Sequence, residues 1–136
     1  MPAYKHGKME LRVSNLINQL GVDLEAIPEQ TVQVREGKFL VPDVAVQRTD
    51  QLQQPYPTKP IYLCIEVLAP GDRFSETVAK CEAYHAWGVK FCWMIDPEKK
   101  LGWEYAAGDR PRQVREGVRI FTEHVAVSLE DLFAGF

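Results

Sequence analysis

The chain has 136 residues, 46% of them hydrophobic and 26% charged, the balance of one soluble globular domain long enough to hold a core without disulfide or metal staples. Its formal net charge of −3 excludes recruitment of a polyanion by bulk charge, so any nucleic-acid contact has to come from a local basic surface. No apolar stretch approaches the ~20 residues of a membrane span, and the N-terminal "MPAYKHGKMELR" has no signal-peptide core.

In chain order, Met9, Val13, Leu16, Ile17 and Leu20 recur at helical spacing, which predicts a helix from Lys8 to Leu20 with Gly21 as its stop. "EQTVQVR" and "FLVPDVAV" flank the short turn "EGK" and read as an antiparallel hairpin. Pro42 lacks an N–H, so the second strand is expected to be an edge strand or to bulge there. "QQPYPTKP" (53–60) reads as a surface loop. "IYLCIEVL" (61–68) is nearly all apolar, which predicts a central strand covered on both faces. Asp72 is the expected N-cap of a helix from Arg73 to about Trp87, ended by Gly88. "KFCWMID" is the next strand, parallel to the one before the helix. "LGWEYAA" and "VRIFTEHV" read as further strands, and Ser128 caps a short helix, "LEDLF". The order α-β-β-β-α-β-β-β-α predicts an α/β fold with a mixed sheet.

Two of these strands carry a carboxylate inside an apolar run. Glu66 shares a strand face with Tyr62, Cys64 and Leu68, and Asp43 with Val41 and Ala45. An ionised carboxylate in such company is costly unless it is paired, hydrogen-bonded or bound to a cation. Taken singly, Asp43 reads as a strand-end residue facing water and Glu66 as a partly buried acid paired with an Arg or Lys. Taken together on adjacent strands, the two acids repel one another, and a shared divalent cation removes the conflict; Mg²⁺ is commonly held by one or two carboxylates plus water and phosphate. Lys80 is open to two readings. It is either an exposed i,i+4 partner of Glu76, worth ~0.2–0.5 kcal/mol, or a lysine that orients the attacking water and offsets charge on a phosphate.

"VPDVAV", "IEVLAPGDR", "K-x-x-x-Y-x-x-x-G-V" (Lys80, Tyr84, Gly88, Val89), "WMIDP" and "VSLEDLF", in that order and at those intervals, resemble the Uma2 family (DUF820), a branch of the PD-(D/E)xK restriction-endonuclease-like nucleases. The resemblance runs from about His6 to Phe133. It implies a single restriction-endonuclease-like domain over residues 1–136, with a central mixed β-sheet flanked by helices and an N-terminal region shorter than is usual in the family. It further implies an Mg²⁺- or Mn²⁺-dependent endonuclease acting on DNA. Asp43 then resembles the Asp of "PD" and Glu66 the second acid. Lys80 is the counterpart of a lysine that has moved from the strand, where Leu68 stands, to the following helix. Glu10 is a weaker candidate for a further acidic metal ligand, and His6 resembles a histidine that opens the first helix in relatives. The family's "SPSD"-like turn is "APGD" here, which keeps Asp72. The resemblance is compatible with a homodimer. The alternative is a catalytically inactive nucleic-acid-binding or interaction module on the same fold.

Cys64, Cys81 and Cys92 lack CxxC or zinc spacing and read as free thiols of a cytoplasmic protein. Trp87, Trp93, Trp103, Tyr84 and Phe91 read as core rather than as a base-stacking set. Asp96 reads as a turn residue, and His85 and His124 lack the spacing of a metal pair. Lys99, Lys100, Arg110, Arg112, Arg115 and Arg119 are the candidate basic surface, with solvated loops as the plainer reading.

Overall fold

Met9, Val13 and Ile17 form one buried stripe on the first helix, α1 (Tyr4–Asn18). The computed structural model, which describes residues 3–115, 119–123 and 125–136, starts this helix at Tyr4 rather than at the predicted Lys8. At its other end Asn18 exchanges two hydrogen bonds with the backbone of Ala26 (2.7 and 3.1 Å), which holds a strand absent from the sequence reading, β1 (Leu24–Pro28).

The predicted hairpin exists as a small ribbon of β2 (Val32–Arg35) and β3 (Lys38–Leu40). Its second strand stops before Pro42. After the break at 41–43, β4 (Val44–Arg48) leaves the ribbon and pairs antiparallel with β1 on one side and with β5 (Leu63–Val67) on the other. Pro42 therefore marks the switch between two sheets, not an edge or a bulge within one strand.

Every residue of β5 is buried, as expected for a covered central strand. The chain then crosses through α2 (Phe74–Trp87) to β6 (Phe91–Asp96), parallel to β5. Asp72 does not cap α2, whose N-cap is Arg73. Its carboxylate instead accepts the Ala69 N–H (2.8 Å) and closes the turn before the helix. Gly88 ends α2 at φ +124°, and a Cβ there would lie 2.7 Å from Pro60 Cγ, so both the backbone and the packing require glycine. β7 (Leu101–Ala106) and β8 (Arg112–Val114) complete a six-stranded sheet of order β1-β4-β5-β6-β7-β8, mixed as expected. A second ribbon, β9 (Arg119–Phe121) with β10 (Ala126–Ser128), leads into α3 (Leu129–Phe133), where Ser128 Oγ accepts the Asp131 N–H as the predicted cap. β8 and β10 were not foreseen.

Two apolar clusters sandwich the sheet. Met9, Val13 and Ile17 of α1 and Leu129 and Leu132 of α3 pack with Leu63, Ile65 and Trp93 on one face. Cys81 and Tyr84 of α2 pack with Cys64, Cys92 and Met94 on the other. The three cysteines are buried free thiols.

Candidate active site

The antiparallel register of β4 and β5 pairs Val44 with Ile65, so the next rung sets Asp43 beside Glu66. There the side chains take over from the backbone ladder. Asp43 N–H donates to Glu66 Oε2 (3.1 Å), and Val67 N–H donates to Asp43 Oδ2 (2.7 Å). The two strand acids of the sequence thus meet at the ends of two interior strands of the central sheet.

Each helix contributes from its own face. From α2, Tyr84 Oη donates to Glu66 Oε2 (3.1 Å) and Lys80 Nζ lies 3.6 Å from Glu66 Oε1. Glu76 is near Arg73 instead (4.0 Å), so the i,i+4 partnership weighed for Lys80 is not the one formed. From α1, His6 stands between two acids, with Nδ1 3.2 Å from Glu10 Oε1 and Nε2 3.3 Å from Asp43 Oδ2. The structure therefore brings Asp43, Glu66 and Lys80 together, reaches Glu10 through His6, and adds His6 and Tyr84 as direct partners. Tyr84 was read as core; its 3.6-residue phase with Lys80 was the available signal that both reach one carboxylate.

The electrostatics follow from burial and proximity. Glu66, 2% exposed, is pushed up to about 7, first by burial and then by the Asp43 charge; the Asp43 N–H, Lys80 and Tyr84 oppose the rise. Burial likewise raises Glu10 to about 7 against the pull of His6. His6 is raised to about 9, chiefly by its hydrogen bond to Asp43, and burial only partly offsets this. At neutral pH it is an imidazolium donating to both acids. Glu10 Oε2 is buried without a hydrogen-bond partner among the described residues.

That orphaned oxygen and the carboxylate donor set suit a hard divalent cation, which prefers oxygen ligands. Among the described residues, no three His, Cys, Asp or Glu side chains converge as a ready metal cage. Mg²⁺ does not require one, because it keeps several waters and uses one or two carboxylates with substrate phosphate.

Other residues singled out in the sequence lie elsewhere. Trp93 is buried in the α1-side core. His85 Nε2 lies 3.1 Å from the Tyr105 carbonyl and its ring abuts Tyr105. His124 is outside the described residues. Asp96 Oδ1 accepts the N–H groups of Glu98 and Lys99 (both 3.0 Å), the turn role expected of it. Arg112 lies 3.4 Å from Glu104 on β7.

A model of the Uma2 family, described as "Putative restriction endonuclease", matches residues 1–136. No curated protein matches the sequence. Among solved structures, one similar fold is a crystal structure of "a putative nuclease belonging to DUF820" from Anabaena variabilis ATCC 29413. It has 17% sequence identity and a TM-score of 0.82, over 98% of this chain and 83% of that one. A second, a cryoEM structure of a DrdV–DNA complex, has 16% identity and a TM-score of 0.45 over 84% of this chain and 12% of that one; a likeness this distant carries no argument.

Proposed function

This chain belongs to the Uma2 family, and from that premise we propose that it is a divalent-metal-dependent endonuclease of the PD-(D/E)xK class, hydrolysing phosphodiester bonds of DNA. The observation that carries the proposal is the shared rung of Asp43 and Glu66, joined by the 3.1 Å hydrogen bond and flanked by Lys80 at 3.6 Å.

In this reading Asp43 and Glu66 would hold Mg²⁺ or Mn²⁺, with Glu10, joined to Asp43 through His6, as the weaker candidate for a further ligand. When bound, the cation would supply charge stabilisation on the phosphate and a more acidic water. The chain's own groups do the rest. The Lys80 side chain is 60% exposed, so its ammonium can meet both a phosphate oxygen and the attacking water while staying beside Glu66. Tyr84 fixes the orientation of Glu66 and His6 that of Asp43. The water oxygen gives up a proton to solvent and bonds to phosphorus as the bond to the leaving sugar oxygen breaks, and that oxygen takes a proton from solvent in return. The buried free thiols fit a reducing, cytoplasmic setting.

The test is cleavage of supercoiled plasmid and of single-stranded DNA in Mg²⁺, Mn²⁺ or EDTA. Metal-dependent cleavage lost in Asp43→Ala and Glu66→Ala, with folding intact by circular dichroism, is the expected result. Variants that cut like wild type overturn the assignment. One observation favours the second reading, an inactive nucleic-acid-binding module: both oxygens of Glu66 have protein partners, the Asp43 N–H and Tyr84 on one and Lys80 on the other. Calorimetry separates the two. Mg²⁺ or Mn²⁺ binding that Asp43→Ala abolishes supports the enzyme, and no binding supports the module.

A further inference from the structure

The strand register extends the acid pair into a row. Glu66 pairs with Met94, and Met94 with Trp103, all on the α2 face. At ~4.8 Å per strand, Trp103 stands about 10 Å from Glu66. There it forms one wall of a cleft of about 280 Å³ between the loop leading into α2 and the β6–β7 turn. Phe74, the first residue of α2, packs on Trp103 with ring centroids 4.8 Å apart and planes at 47°, and remains 37% exposed.

The cleft lies at the same end of β5 and β6 as the acid site, since Leu68 and Asp96, two residues beyond Glu66 and its strand partner Met94, line it, and Asp72 is on its rim. Glu98, also on the rim, lies 3.5 Å from Lys5, the neighbour of His6 in α1. Its volume falls just below the ~300–1,000 Å³ of drug-sized ligand sites, which suits a single planar ring system. Its polar groups decide between the parts of a nucleotide. Asp72, Asp96 and Glu98 outnumber Lys99 and the Lys5 that pairs with Glu98, so the lining disfavours a phosphate while the N–H edge of a base finds acceptors beside an aromatic wall.

We propose that this cleft is a base-binding subsite, in which Trp103 and Phe74 stack an unpaired or extruded nucleobase of the strand that places its phosphate at Asp43 and Glu66. The inference rests on the nuclease-site reading for its substrate class, but its test does not depend on cleavage. Trp103 and Phe74 act as substrate-contacting residues, with Asp96 as the acceptor held in place by the turn.

The experiment is equilibrium binding, by fluorescence anisotropy in EDTA, of short fluorescein-labelled single-stranded oligodeoxynucleotides and of abasic versions with the same phosphates. Trp103→Ala is expected to weaken binding of the base-bearing oligonucleotides by roughly 5- to 100-fold, the range for loss of one base–aromatic stack. It should leave the abasic oligonucleotides unaffected, and Trp103→Phe should restore most of the loss and rule out a folding effect. Equal affinity of Trp103→Ala and wild type overturns the proposal. So does an equal loss on abasic oligonucleotides, or no binding by wild type at all. Plasmid cleavage by the same preparations distinguishes the two claims. Trp103-dependent binding without any cleavage keeps the subsite and removes the nuclease; cleavage with Trp103-independent binding does the reverse.

Discussion

The two faces of the central sheet are built from the same strands, yet they are filled differently. Under α1 and α3 lie Leu63, Ile65, Trp93 and Ile95, large side chains without an ionisable group among them. Under α2 the alternate residues of the same strands are Cys64, Glu66, Cys92 and Met94, faced by Tyr84. The first face has the composition of a core that supplies stability. The second accepts a desolvated carboxylate and surrounds it with donors, an arrangement that costs stability and fits the chemistry proposed for it. Neighbouring residues on one strand can therefore serve opposite ends.

The sharpest way to break this comparison uses adjacent positions. Leu63→Ala should cost ~2–5 kcal/mol by urea denaturation, whereas Cys64→Ala, equally buried on the other face, should cost only about 1 kcal/mol. Similar losses would erase the distinction. Next, Lys80→Ala should lower plasmid cleavage by about 100-fold or more while changing stability by no more than ~0.5 kcal/mol, because its side chain is largely exposed. A lysine that matters only to folding would show the opposite pattern.

Titration sharpens the comparison further. Glu66 and Glu10 have folded values near 7, above the ordinary 4.5, so the folded state holds their protons more tightly than the unfolded chain does. The stability they contribute is present below pH 4.5 and is lost as pH rises through about 7. His6, raised from 6.5 to about 9, contributes below pH 6.5 and loses that contribution through about 9. Metal-free protein should therefore lose stability, by urea denaturation, as pH rises from about 5 to about 8, and Glu66→Gln should flatten the lower part of the curve. The smallest effect belongs to Tyr84→Phe. Removing one hydroxyl bonded to a buried carboxylate should cost about 1 kcal/mol above pH 7, with little change at about pH 5, where Glu66 is protonated.

The sequence carried the central strand, the crossover helix and the parallel partner because each has a long, strongly patterned signal. It did not carry β8 and β10, which at three residues are too short for a period of two to register. β1 escaped for a different reason: its strand character depends on pairing with β4 and on the side chain of Asn18, both outside its own five residues. The acids were visible as charges out of place in apolar runs. Their meeting was an expectation conditional on adjacent strands, which only the register of β4 and β5 supplies, and the reach of His6 to Asp43 across 37 positions of chain left no local trace. Asp72 shows the limit of a local rule. A good capping residue one position before the cap closed the preceding turn instead.

The hydrogen bond from Val67 N–H to Asp43 Oδ2 gives the protein a built-in gauge. In an ordinary strand that amide would face a neighbouring carbonyl and sense only the opening of the sheet. Here its acceptor is the carboxylate of the acid pair, so its resonance position and solvent-exchange rate depend on the charge that Asp43 carries and on whatever else claims that oxygen. Followed in solution by amide spectroscopy while a cation, a proton or an oligonucleotide is added, this one backbone position would register each arrival at the site directly, with no label attached and no turnover required.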